Sequence, residues 1–211
     1  MYRRAFVVVL HRANTDGDFK LEDLPGSGGR VDIFCRVLNA ALLLSHGIRK
    51  DTLVYGVLLG PPSPPVSIKV LGDSVKYLNP DERSTGALIR NALIKLKKKN
   101  MDEKGWIRTS PGIYASKIDL KGVLDELVSY NFNIYYLKED GKDIREIKLE
   151  FPLAFVMSDA EDLTQEEENV VLEYSSDKVS IGPYSLHTEH CIVVVNNEID
   201  RRTTPRLISI K

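Results

Sequence analysis

Nowhere in its 211 residues does this chain carry an apolar run near the roughly 20 residues that a bilayer requires, which argues against a membrane span. Cysteine is scarce. The two present, Cys35 and Cys191, both lie in apolar patterns, so buried thiols in a reducing compartment fit better than a disulfide. There is no Gly-x-Gly-x-x-Gly and no Walker lysine, which argues against an ordinary dinucleotide or P-loop site. An excess of charge of one sign is missing too: 29 Lys and Arg stand against 30 Asp and Glu. Glutamine occurs once, at Gln165, among many charged residues, a composition that points weakly toward a heat-adapted source. Internal repeats, low-complexity tracts and long linkers are absent as well, so one α/β domain over residues 1–211 is expected. The apolar start at 5–10 is followed at once by His11-Arg12-Ala13-Asn14, which suits a first buried strand rather than a secretory peptide. These features predict a cytoplasmic protein with no membrane partner.

What the chain does contain is an alternation of strand and helix patterns. Residues 6–10 read as a strand, 31–45 as a helix and 52–59 as a second buried strand, in the β-α-β order of parallel sheets. Pro61-Pro-Ser-Pro-Pro is a stiff connector, and 66–71 with 75–78 suggests a hairpin around Gly72-Asp73, so 61–80 is predicted as an edge insertion. Helical patterns span 84–98, 119–129 and 164–173, each opening at a Ser, Thr or Asp cap. Strands are expected at 133–137, 153–157 and 178–181, with Phe151-Pro152 as a turn. Their exits, at Leu137, at Ser158-Asp159 and at Ile181-Gly182-Pro183, are predicted to line one pocket, because ligands in open α/β sheets sit beyond the carboxyl ends of the strands.

The segment 178–195 is the richest. Gly182-Pro183 frees one backbone position and fixes the next, so main-chain groups there can face a ligand instead of a ladder. Ser185 is then expected to cap a closing helix that carries Leu186, His190, Cys191, Val194 and Val195 at helical spacing, with Ile192 and Val193 available to a partner. His187, His190 and Cys191 have metal-like spacing, yet a closed zinc site needs four ligands and no second cluster appears, so no metal is expected. Charge is also distributed unevenly. Basic residues gather at Arg30, Arg36, Arg49 and Lys50, along 95–104, and at Arg201, Arg202 and Arg206, while 159–168 is almost wholly acidic. The lysines from Lys95 onward suit a solvated last helical turn, and Arg30 suits either a pair with Asp32 or Glu22 or an RNA contact. Tyr114 and Tyr184 suit either base stacking or packing with one bonded hydroxyl.

Five separated motifs occur in order: Leu24-Pro-Gly-Ser-Gly-Gly-Arg-Val-Asp, Pro80-Asp-Glu-Arg, Ser110-Pro-Gly-Ile-Tyr, Asn133-Ile-Tyr-Tyr-Leu and Ser185-Leu-His-Thr-Glu-His-Cys. Together they resemble the archaeal TrmY family, tRNA pseudouridine N1-methyltransferases of the SPOUT superfamily. The resemblance covers nearly the whole chain. It implies a mostly parallel sheet flanked by helices, a trefoil knot within a cofactor region at 130–200, a homodimer, and S-adenosylmethionine as donor with S-adenosylhomocysteine as product. The implied acceptor is pseudouridine 54 of tRNA. Carried over by residue, cofactor contacts fall on Leu137, Ser158, Ser180, Ile181, Gly182, Pro183, Tyr184, Ser185, Leu186 and Cys191. Ser158 stands where the family often has glycine, which leaves less room for close backbone approach.

Pseudouridine N1 is mostly protonated near neutral pH, so the implied reaction needs proton removal and in-line positioning. Asp32 or Asp159 is expected to accept the proton, and Arg30 or Arg36 to hold phosphate or the developing anion. Cys191 is expected to line the pocket, because a deprotonated nitrogen needs no covalent cysteine. Two other functions fit the same residues: methylation of a ribosomal-RNA pseudouridine, and a non-catalytic RNA-binding or ribosome-assembly role with a vestigial pocket.

Overall fold

Seven consecutive buried residues form β1 (Arg4–Leu10), the middle of the molecule. The structure, a computed structural model, describes residues 2–99 and 105–203. After β1 come α1 (Val31–Leu42), a small hairpin of β2 (Leu43–Leu44) and β3 (Gly47–Ile48), then β4 (Thr52–Leu58) and β5 (Val66–Leu71). Next are α2 (Glu82–Lys99), β6 (Ile107–Ser110), β7 (Ile113–Ser116) and α3 (Leu120–Ser129). β8 (Asn133–Asp143), β9 (Leu153–Ser158), α4 (Gln165–Tyr174), β10 (Ser175–Ser180) and α5 (Thr188–Thr203) complete the order.

Eight strands join in the order β10-β8-β9-β1-β4-β5-β7-β6, parallel from β10 to β4 and antiparallel from β4 onward. Alternation along β1 explains why it takes the centre. Phe6, Val8 and Leu10 enter the core shared with α1, α2 and α5, while Ala5, Val7 and Val9 enter the core shared with α3 and α4. Such a strand must be covered on both faces, and each large side chain buried there contributes about 1.5–3 kcal/mol.

The caps read from sequence hold at two helices. Asp119 accepts from Gly122 N at 2.8 Å, and Thr164 forms a capping box with Glu167. Elsewhere the structure corrects the reading. The helix expected to reach 45 stops at Leu42, where β2 begins. The insertion expected at 61–80 is no edge hairpin: β5 lies inside the sheet between β4 and β7, and 75–78 forms no strand. Gly72 N donates to Thr52 O, and Val75 and Leu78 then plug the core from a loop, so their apolar spacing imitates a strand. The edge strand on that side of the sheet is β6, joined to β7 around Pro111-Gly112. Ser185 does not cap the closing helix, which starts three residues later at Thr188, and Leu186 is outside it. Ile192 is buried in the core instead of facing outward, whereas Val193 is 52% exposed.

Both cysteines are free, Cys35 buried and Cys191 half-buried. Lys97, Lys98 and Lys99 do form the last turn of α2. The remainder of the expected basic run, 100–104, and Arg206 lie outside the described residues.

The β10 end of the sheet is interrupted. β10 pairs with β8 in two stretches, 175–178 against 134–136 and 179–180 against 142–143, so 137–141 loops out between them.

Candidate binding pocket at the strand exits

The carboxyl ends of β9 and β10, the middle of β8 just past its last pair with β9 at Tyr136, and the beginnings of α1 and α5 enclose a cavity of about 400 Å³. The three exits read separately from sequence meet here. β8 contributes Leu137, β9 contributes Ser158 followed by Asp159, and β10 contributes Ser180 followed by Ile181, Gly182, Tyr184, Ser185 and Leu186. Cys191 enters from α5, and Arg30 and Arg36 from the start of α1. Of the expected residues, Pro183 and Asp32 are not in the lining. Tyr114 belongs to β7, in the antiparallel part of the sheet.

Local chemistry sets these positions. Gly182 has φ +150°, a conformation that side-chain-bearing residues rarely adopt, although the space beside it is open. Ser180 Oγ brackets the turn, accepting from Gly182 N at 3.3 Å and donating to Gly182 O at 3.1 Å. Ser185 Oγ donates to Glu139 Oε1 at 2.7 Å, which ties the β10 exit to the loop in β8 and holds the Glu139 carboxyl below its ordinary range. Thr188 Oγ1 donates to Ser158 O at 2.9 Å and so docks the start of α5 on the β9 exit. Burial, with the Glu139 charge nearby, pushes the Cys191 thiol up to about 11, so it stays protonated near neutral pH and lines the wall.

Neither expected proton acceptor is a free carboxylate. Asp32 is buried behind two arginines. Arg30 donates through Nε at 3.1 Å and Nη2 at 3.2 Å, and Arg36 through Nη1 at 2.8 Å. Burial alone would raise the Asp32 carboxyl, but these bonds outweigh it and hold it below the usual range. Arg36 also donates to Glu82 at 3.2 Å and to Glu189 at 2.9 Å, so its donors are largely taken. Arg30 has φ +73°, an uncommon backbone for a side-chain-bearing residue, held by the Gly28-Gly29 approach. A Cβ on Gly29 would collide with the Arg12 carbonyl. Asp159 accepts from His11 N through Oδ2 and from Glu161 N through Oδ1, each at 3.0 Å, and Oδ1 lies 3.0 Å from His11 Nδ1. Sequence reasoning missed His11, because nothing local marks a residue whose partner lies 148 positions away.

The wall is acid-rich. Glu139, Asp159, Glu161, Asp162 and Glu189 face Arg30, Arg36 and Lys138, and each of those cations is already paired with a carboxylate. Such a cavity disfavours phosphate and favours a cationic ligand with an apolar body, for which Leu137, Met157, Ile181 and Leu186 supply the surface. Among the described residues, no group of three or more His, Cys, Asp or Glu is placed to hold a metal ion.

A mostly parallel α/β sheet with a small-molecule pocket beyond its strand exits defines a ligand-binding α/β protein. Residues 3–204 match the model of a family described as putative SAM-dependent RNA methyltransferase, and the chain belongs to that family. It is 47% identical over 199 residues to the tRNA (pseudouridine(54)-N(1))-methyltransferase of Methanocella arvoryzae, covering 94% of this chain and 100% of that one. The proteins of the same name from Methanococcoides burtonii and Methanocaldococcus jannaschii are 44% and 36% identical, over 94% of this chain and 96% and 97% of theirs. A crystal structure of Archaeoglobus fulgidus Nep1 bound to S-adenosylhomocysteine shares the fold, with TM-score 0.59 and 16% identity over 93% of this chain and 97% of that one.

Proposed function

We propose that this protein transfers a methyl group from S-adenosylmethionine to N1 of pseudouridine 54 in tRNA and releases S-adenosylhomocysteine. The observation that carries the reading is the acid-rich cavity at the strand exits, which suits a nucleoside bearing a sulfonium better than one bearing phosphates. The names of relatives at 36–47% identity supply the acceptor. Bound there, S-adenosylmethionine would offer an electrophilic methyl carbon.

The chain's own residues would do the rest. Ile181, Gly182 and Tyr184 to Leu186 present main-chain groups and apolar surface to the nucleoside, and Glu139 with Glu189 favours positive charge in the cavity. Arg30, oriented by Asp32 and 43% exposed at its side chain, holds the developing anion of the acceptor base. Asp32 and Asp159 serve as anchors, for Arg30 and for the β9 exit respectively. The N1 proton passes to water at the open rim of the cavity, because Glu139 and Glu161 are themselves held by Ser185 and Arg12.

The trefoil knot belongs to this reading too, as the resemblance to the TrmY family implies. So does a homodimer, supported by the exposed Val193 on α5, and a cytoplasmic setting. No helix among the described residues is long and apolar enough to cross a membrane.

The test uses labelled S-adenosylmethionine and two tRNA transcripts, one with pseudouridine in the T-loop and one with uridine there. Transfer to the first alone is the expected result. Cofactor binding without transfer to either would move the acceptor to ribosomal RNA, and no saturable cofactor binding would leave an RNA-binding role. Light scattering that shows a monomer at micromolar concentration would remove the dimer.

A further inference from the structure

The loop after β9, which forms one wall of the cavity, is gripped from outside by His11. This residue comes directly after β1, its side chain is 12% exposed, and it does not line the pocket. Nδ1 lies 3.0 Å from Asp159 Oδ1 on the β9 exit, and Nε2 lies 3.1 Å from Glu167 Oε2 on the first turn of α4. One ring thus bridges three segments, the β1 exit, the β9 exit and the helix after it.

A neutral imidazole has one N–H and one lone pair, so only the protonated ring can donate to two carboxylates. Neither acid is free to turn away. Asp159 also accepts from the backbone N–H of His11 and of Glu161. Glu167 Oε2 accepts from Thr164 N at 2.8 Å and from Thr164 Oγ1 at 2.9 Å. Loss of the proton therefore sets a lone pair against a fixed carboxylate, and the loop must shift to relieve it.

We propose that the His11 imidazolium is a positioning residue for the donor pocket: it locks residues 158–162 against β1 and α4, and S-adenosyl ligands bind less tightly when the proton leaves. This rests on the pocket being a site for S-adenosylmethionine. The charged groups facing the ring are Asp159 from the β9 exit and Glu167 from α4, while the neighbouring Arg12 and Glu161 pair with each other. The bond to Asp159, with that to Glu167, outweighs burial and raises the ring from 6.5 to about 9. The lock is therefore closed at neutral pH and opens as pH rises through that value.

Calorimetric titration of S-adenosylhomocysteine into the full chain from pH 6.5 to 10 tests this, with His11→Gln and Glu167→Gln alongside the parent protein. The ligand's own amino group titrates equally in all three, so the differences between profiles are read. The parent should lose affinity about tenfold toward pH 10, as expected when the competent state becomes a minor one. His11→Gln should bind weakly with no such step. Glu167→Gln keeps the capping box, since glutamine serves at that position, and should move the step down by about one pH unit. If His11→Gln does not fold, the Glu167→Gln midpoint decides. His11→Gln binding as tightly as the parent at pH 7, or Glu167→Gln with an unmoved midpoint, overturns the inference and leaves the donor-pocket reading intact. A parent protein that binds no S-adenosylhomocysteine at any pH overturns that reading and the inference with it.

Discussion

The parallel and antiparallel halves of the sheet both bury apolar strands, but they handle charge in opposite ways. Arg4, at the amino end of β1, is buried against Asp51 and Asp200, but the charged groups at the strand exits of the parallel half, Arg30, Asp159 and Glu139 among them, border a cavity. In the antiparallel half they are enclosed. Lys69 on β5 lies 2.7 Å from Glu126 of α3, and its Nζ sits 4.3 Å from the centre of the Trp106 ring and 5.6 Å from that of Tyr114. Tyr55 Oη donates to the same Glu126 at 3.1 Å, and Trp106 Nε1 donates to its other oxygen. A cluster with every partner supplied internally has nothing left to offer a ligand and acts as a brace. The exits keep main-chain groups and carboxylates facing open space, and this difference separates the site from the scaffold.

The comparison breaks most visibly at Phe155, whose ring stacks on Phe6 at 6.3 Å and on Tyr135 at 5.6 Å. Phe155→Ala should cost about 4 kcal/mol in urea unfolding and weaken ligand binding as well, because β9 carries the pocket wall. Lys69→Met strands Glu126 and should also cost about 3–4 kcal/mol, yet leave S-adenosylhomocysteine affinity unchanged in the folded protein. A folded Lys69→Met protein with clearly weaker ligand binding would mean that the brace and the site are coupled.

The stability curve against pH gives a third contrast. His11 is raised in the folded state, so its contribution, about 3 kcal/mol at most, is complete below its unfolded value near 6.5 and is lost as pH climbs through about 9. Urea unfolding of the parent and His11→Gln at pH 6.5 and pH 10 should converge at the higher pH. The smallest effect belongs to Ser185→Ala, which removes the bond to Glu139. It should weaken ligand binding by about 1 kcal/mol, with stability unchanged.

Sequence made the parallel half readable and the antiparallel half misleading, for physical reasons. Val7 to Leu10 and Phe155 to Met157 are continuous apolar runs that only a doubly covered strand explains, and their exits fall where the cavity is. Gly72-Asp73 between two apolar stretches signals a hairpin, but Val75 and Leu78 are buried from a loop, and periodicity does not separate a plug from a strand. Ser185 resembles a cap because local pattern cannot reveal that the helix begins only at Thr188, or that the Ser185 hydroxyl is drawn to Glu139, which β8 brings from 46 residues away. The same limit hid the pairing of Arg36 with Glu189 and the bridge at His11. Residues within one exit were legible, and the bonds between exits were not.

The central place of β1 carries a cost in time. Its neighbours on the two sides are β4 and β9, so as the chain is made β1 finds one partner some 40 residues on and the other only when Leu153 to Ser158 has been made. At common synthesis rates of about 5–20 residues per second, the β9 side of β1 stays open for on the order of ten seconds. For most of that interval Ala5, Val7 and Val9 also lack α3, and for all of it they lack α4. The nascent chain therefore presents an unpaired apolar edge to its neighbours, and the half that ends up most buried is the half most exposed to misassembly during synthesis.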